Sequence, residues 1–173
     1  MLITTSRLTL RPVEPGDWRA IQSIWETEAR SPYARYDRPK DLSDAAARAW
    51  AERWAAHRDD PGHRFFAACL EGAMIGYIAF NRREGGQYEI GYCFHAAHHR
   101  RGYAKESLSA LIAALSGCGI RRFVAGTALD NGPSVGLLRA LGFRLTGTER
   151  VSFHRDAEGR DIFFEGGIFE LEA

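Results

Sequence analysis

The run Tyr88-Glu89-Ile90-Gly91-Tyr92-Cys93-Phe94-His95-Ala96-Ala97-His98-His99-Arg100-Arg101-Gly102-Tyr103-Ala104-Lys105-Glu106-Ser107 joins a β-branched and aromatic stretch to a helical one through a basic turn. Ala104, Leu108, Leu111, Ile112 and Leu115 recur at the spacing of one buried helical face. A helix that starts here leaves its first backbone N–H groups unpaired and aimed back along its axis. Arg100 and Arg101 add positive charge, and Gly102 allows close approach to the main chain. The turn reads as a receptor for an anionic group such as a diphosphate.

Upstream, Leu8 to Val13 alternates as a strand, with Pro12 suited to an edge. Asp17 offers a helix N-cap before Trp18, Ile21, Ile24 and Trp25. A loop from Tyr33 to Lys40 leads to a second helix begun by Ser43. In that helix Trp50 and Trp54 lie one turn apart and read as core. Phe65–Leu70, Met74–Phe80 and Gln87–Phe94 are strands joined by tight turns, hence antiparallel. Downstream, Phe123–Leu129 follows a helical crossover and is expected to run parallel to Tyr88–Phe94. Ser134–Leu141 is a short helix closed by Gly142, and Phe143–Phe153 with Ile162–Leu171 forms a last hairpin. The expectation is an α+β (mixed α/β) fold. Its central sheet is mixed, mostly antiparallel and seven-stranded, splayed between two parallel strands and flanked by about four helices.

A chain of 173 residues reads as one domain spanning 1–173, large enough for its own core. The net charge of +1 argues against nucleic acid or an anionic membrane as a general partner. Cys69, Cys93 and Cys118 are too scattered for a disulfide framework, so a reduced, cytoplasmic setting is expected. Neither a leader nor a bilayer-spanning run is read, since Arg7 and Arg11 interrupt the first apolar alternation. Cys93, His95, His98 and His99 cluster, but no distant pair completes a closed set of ligands, so no metal is expected.

Several short motifs in order resemble the GNAT superfamily of N-acetyltransferases, within it the RimJ/RimL-like ribosomal-protein branch. They are Thr5-Ser6-Arg7-Leu8-Thr9-Leu10-Arg11-Pro12, Glu89-Ile90-Gly91-Tyr92, Arg101-Gly102-Tyr103-Ala104-Lys105-Glu106, Asn131-x-x-Ser134, Leu141-Gly142-Phe143 and Gly159-Arg160-Asp161. The resemblance implies acetyl-CoA as cosubstrate, bound where two parallel strands part after Phe94 and Leu129. Its diphosphate would rest on His99, Arg100, Arg101, Gly102, Tyr103 and Ala104, and its pantetheine arm would pair with the backbone of Phe94 and His95. A bulge there would free an N–H for the thioester carbonyl. His99 stands where the family has Arg or Gln, while Gly102 and Ala104 fit.

Glu89 matches the family's strand carboxylate, a candidate general base acting through water, or else a solvated strand residue. Relatives often carry a general-acid Tyr on the short helix, where this chain has Leu138. Ser134 is the fallback acid, or else simply a helix cap. Asn131 either ties the strand end to the cosubstrate or is a turn residue. Positioning can supply about 7–11 kcal/mol of the barrier, against about 3–5 kcal/mol for an acid or base, so the identity of the acid is not decisive.

The acceptor is expected to be a primary amine attacking directly in a ternary complex. A peptide or protein N-terminus is preferred over a small-molecule amine, or over a non-catalytic acyl-CoA-binding module. Freeing an α-amine of pKa near 7.8 at pH 7 costs about 1 kcal/mol, against about 4.6 for lysine. Tyr33, Arg35 and Tyr36, with the rest of the loop to Arg38 and the His154–Glu158 turn, are nominated to hold it. Arg35 and Arg38 make that loop unsuited to a polycation. A monomer or homodimer is expected.

Overall fold

The computed structural model describes residues 1–173. In chain order the elements are β1 (Ile3–Thr4), β2 (Leu8–Pro12), α1 (Trp18–Ala29), α2 (Asp44–Ala56), β3 (His63–Leu70), β4 (Ala73–Arg82), β5 (Tyr88–Phe94), α3 (Tyr103–Gly117), β6 (Arg122–Ala128), α4 (Gly132–Ala140), β7 (Arg144–Arg155) and β8 (Asp161–Glu172). The sheet runs β1-β2-β3-β4-β5-β6-β8-β7, and only β5 and β6 pair in parallel. All seven expected strands are present; the two-residue β1, paired with Thr9 and Leu10, adds an eighth. Pro12 lies beyond β1, and since the Val13 N–H turns toward β3, its missing N–H breaks no ladder bond.

Each sheet face packs on a pair of helices. Leu108, Leu111 and Leu115 of α3 and Leu138 of α4 meet Phe123 and Phe169 in one cluster of 20 buried residues. Ile21, Ile24 and Trp25 of α1 and Trp54 of α2 meet Ala67 and Tyr77 in another of 11. Full burial of each large apolar side chain is worth about 1.5–3 kcal/mol, so these faces fix the helices on the sheet. Trp54 stacks on Phe65 at 4.6 Å, but Trp50 remains 38% exposed, packing edge-on to Trp25 and Trp54. Only half of that expected core pair is core.

Ser43 caps α2 as expected, accepting the Ala46 N–H. Asp17 does not cap α1. Its oxygens each accept an Arg11 N–H at 2.7 Å, and one also accepts the Glu14 N–H at 2.8 Å. A 3-10 turn at Pro15–Asp17 points the carboxylate back at β2, where a two-pronged guanidinium outcompetes a single amide. No helix is long and apolar enough to cross a membrane.

Candidate active site

β5 and β6 are paired only at Tyr88 with Phe123 and Glu89 with Val124. Beyond Glu89 they part, leaving a wedge open between Ile90–Phe94 and Ala125–Ala128. On β5 the backbone groups of alternate residues face alternate neighbours. The His95 N–H is spent on the Ile75 carbonyl of β4 at 2.9 Å, so the polar groups of Phe94 face the wedge. The expected bulge is absent, for β4 and β5 stay in register from Tyr88 to Phe94. Gly76, opposite Phe94, makes room for the ring: a Cβ there would sit 2.3 Å from it. An N–H is offered to the wedge without a bulge, by Phe94 rather than His95.

Past the wedge, His99 Nε2 donates to the Phe94 carbonyl at 2.8 Å, and His95 Nδ1 accepts from the Ala97 N–H. His99 thus braces the turn to the strand end. Arg100 and Gly102 both adopt left-handed backbone, with φ of 58° and 80°, curling the chain into the start of α3. The first intrahelical bond runs from the Glu106 N–H to the Gly102 carbonyl, and no bond takes up the N–H of Gly102, Tyr103, Ala104 or Lys105. The Arg100 and Arg101 guanidiniums are exposed with no acidic partner, whereas the Tyr103 side chain is largely buried. Free N–H groups at a helix start, beside unpaired cations, fit a diphosphate.

The sequence alone did not show what holds this turn. Arg7 donates to Glu106 Oε2 at 2.7 Å and to the Arg101 carbonyl at 3.0 Å, and lies 4.5 Å over the Tyr103 ring. Glu106 also accepts from Thr5 at 2.5 Å and Ser6 at 3.1 Å. Burial would raise the Glu106 pKa, but these bonds hold it down to about 2. The carboxylate stays ionised in the first turn of α3, where the helix dipole favours it, and Arg7 neutralises it toward an incoming phosphate.

Across the wedge, Asn131 caps α4, its side chain accepting the Ser134 N–H at 3.3 Å. Ser134 is therefore not the cap. Its hydroxyl meets the Tyr92 hydroxyl at 2.8 Å, linking β5 to α4 across the opening. Burial pushes the Tyr92 phenol up and the Ser134 bond partly offsets this, so it remains a proton-bearing group. Leu138, where relatives often carry a tyrosine, is buried in the core. The hydroxyl facing Ser134 here belongs to the strand residue Tyr92, visible in the sequence only as one aromatic in Glu89-Ile90-Gly91-Tyr92.

Glu89 lies at the closed root of the wedge and is ion-paired to Arg83. It shares the α1/α2 face with Cys93, four residues or about 13 Å farther along the strand. Burial, with help from Glu28, pushes the Cys93 thiol up to about 12, so the thiol stays neutral. Glu28, in the last turn of α1, is raised by burial, with Lys40 at 2.8 Å working against it. Lys40 also holds Asp37 at 2.7 Å, pinning the loop after Tyr36 to α1. Tyr33 and Tyr36 are stacked 6.5 Å apart, Arg35 lies over the Tyr36 ring, and the Tyr36 hydroxyl sits 3.5 Å from Asp130 beyond β6. These nominated residues thus border the wedge mouth. On the same face Gly126 of β6 is exposed, with nothing within 4 Å of where a side chain would begin, so the strand floor is bare there.

A profile of the family described as Acetyltransferase (GNAT) domain matches residues 7–144. The chain belongs to the GNAT acetyltransferase family. It is 28% identical to the N-acetyltransferase YnaD of Bacillus subtilis over 95% of both chains. It is 24% identical to the L-amino acid N-acetyltransferase AaaT of Escherichia coli, over 92% of this chain and 96% of that one. The fold is similar to that of RimL, a ribosomal alpha-N-protein acetyltransferase in complex with coenzyme A. The TM-score is 0.84 at 20% identity, over 99% of this chain and 98% of that one. This GNAT protein is an acetyl-CoA-dependent N-acetyltransferase.

Proposed function

We propose that this GNAT enzyme acetylates the α-amine of a peptide or protein N-terminus, with acetyl-CoA and acceptor meeting in one ternary complex. The observation that carries this is the two-sided wedge. The helix α3 cradle and the Tyr92–Ser134 pair lie on its α3/α4 face, whereas Glu89, the bare floor at Gly126 and the Tyr33–Tyr36 loop lie on the α1/α2 face. Two substrates approaching from opposite faces need no covalent enzyme intermediate. The acceptor side is also a track and not a closed pocket: Tyr36 packs on Phe164 at 5.2 Å, and Phe164 on Phe153 at 5.7 Å, leading out along the last hairpin. An extended chain suits such a track.

The amine nitrogen attacks the thioester carbonyl and the carbon–sulfur bond breaks. On this reading the α3 N–H groups and Arg100–Arg101 hold the diphosphate, Asn131 fixes the start of α4, and the Phe94 N–H polarises the carbonyl. Glu89, ion-paired to Arg83 at the root of the wedge, takes the amine's proton through a chain of waters along the strand. Glu28 shares that face and is ion-paired to Lys40, as Glu89 is to Arg83. Ser134, hydrogen-bonded to Tyr92, gives the departing sulfur its proton. The second reading, a free amino acid acceptor, is favoured by the likeness to AaaT. A panel of decapeptides and free amino acids, followed by thiol release and mass spectrometry, tests the choice. Peptides acetylated at the α-amine with higher kcat/KM support the proposal, and turnover of amino acids alone refutes it.

A further inference from the structure

Where the Tyr36 loop meets the hairpin there is a cleft of about 440 Å³ lined by Arg38, Ser152, Phe153, His154, Arg155 and Asp161. Its construction is specific. Ser152 pairs with Phe163 and His154 with Ile162, so Phe153 is the unpaired residue of a bulge. A bulge re-aims a side chain, and here Phe153 packs against Phe164 and carries the Arg38 guanidinium 5.0 Å above its ring. His154 Nε2 donates to the Asp37 carbonyl at 2.8 Å. Arg38 and Arg155 are the next residues on either side of that bond, so one cross-link sets both. Arg38 has no acidic partner, and Arg155 gives only its Nε–H to Asp161, at 3.1 Å. Two guanidiniums therefore face one carboxylate. Stacking on a ring leaves the N–H edge of a guanidinium free for two-pronged recognition of a carboxylate.

We infer that this cleft is a specificity subsite, resting on the peptide reading above: Arg38 and Arg155 receive an acidic side chain of the acceptor. Distance sets the position. From Tyr36 at the wedge mouth the route runs 5.2 Å to Phe164, 5.7 Å to Phe153 and 5.0 Å to Arg38. An extended chain covers about 3.3 Å per residue, so the acid falls between about the fourth and sixth residue. A free amino acid with its amine in the wedge is too short to reach. Arg35 on Tyr36 keeps a cation along the same route, which disfavours basic residues there.

The test is a glutamate scan through positions 2 to 8 of a neutral decapeptide, read as kcat/KM with acetyl-CoA and the full chain. Glutamate at positions 4 to 6 is expected to raise kcat/KM about five- to twentyfold, mainly through KM. In Arg38→Glu that preference should invert toward lysine at the same positions, while Arg38→Lys keeps part of the original one. Arg155→Gln, which leaves Arg38 in place, should weaken the preference without inverting it. If peptides are acetylated but glutamate shifts kcat/KM less than twofold at every position, or Arg38→Glu leaves the profile unchanged, the subsite is refuted and the peptide reading stands. If no peptide is acetylated, both fall together.

Discussion

Replacing Arg7 by alanine removes the guanidinium that covers Glu106 while leaving the Thr5 and Ser6 hydroxyls and the residue 7 N–H to keep that carboxylate ionised. An uncompensated negative charge then stands in the first turn of α3, roughly 6 Å behind the N–H groups at its start. Against two phosphate charges, with water-like screening, the repulsion is about 1–2 kcal/mol, a five- to thirtyfold weaker Kd for CoA. Salt should shrink the loss, since the screening length falls to about 8 Å at physiological ionic strength. The pair itself is partly exposed, so the stability cost should be under about 1 kcal/mol, a Tm drop of about 2–4 °C. Titration calorimetry with CoA at low and high salt measures the affinity, and Arg7→Ala combined with Glu106→Gln isolates the cause. The double variant should recover most of the affinity, because the harm lies in the exposed carboxylate. A Kd within twofold of the parent for Arg7→Ala, or no recovery in the double variant, refutes the reasoning.

The Tyr92–Ser134 pair predicts that Tyr92→Phe and Ser134→Ala each lower kcat about 10- to 100-fold with little change in KM, and that the double variant is no worse than either single one. A kcat unchanged from the parent in all three variants would leave the pair a structural link only. Glu106 has a folded pKa of about 2 against an ordinary 4.5, so its contribution to stability is full above pH 4.5 and is lost as the pH falls from there through 2. Urea unfolding across that window should show a flatter stability curve in Glu106→Gln than in the parent. Of the three thiols, Cys118 is exposed, Cys69 is buried and Cys93 is pushed up to about 12. Iodoacetamide at pH 8 should therefore modify Cys118 alone; rapid loss of Cys93 would contradict its neutral thiol.

The features legible in the sequence are the ones a short window can encode. The face Leu108, Leu111, Ile112 and Leu115, the tight turns of the meander, and the Gly102 entry to α3 each follow from spacing within a few residues. The parallel β5–β6 pair followed from a crossover rule that needs only element order. What stayed hidden depends on distant partners. The bond between Tyr92 and Ser134 spans 42 positions, and that between Thr5 and Glu106 spans 101, so neither leaves a local pattern. Asp17 reads as a cap because its neighbours do not reveal that Arg11 reaches it with two N–H groups. The seat of the Phe94 ring depends on Gly76, across the ladder on β4. The two-residue β1 is simply too short to carry a period.

The claim that most of the account depends on is that main-chain amides where α3 begins, facing an opened parallel strand pair, receive the diphosphate of acetyl-CoA. Amide-resolved nuclear magnetic resonance during a CoA titration tests this most directly. The largest shifts should fall on Gly102 to Lys105 and on Phe94, all saturating with a single Kd. If those amides stay still while CoA binds and another region of the chain responds, the diphosphate does not rest at the start of α3.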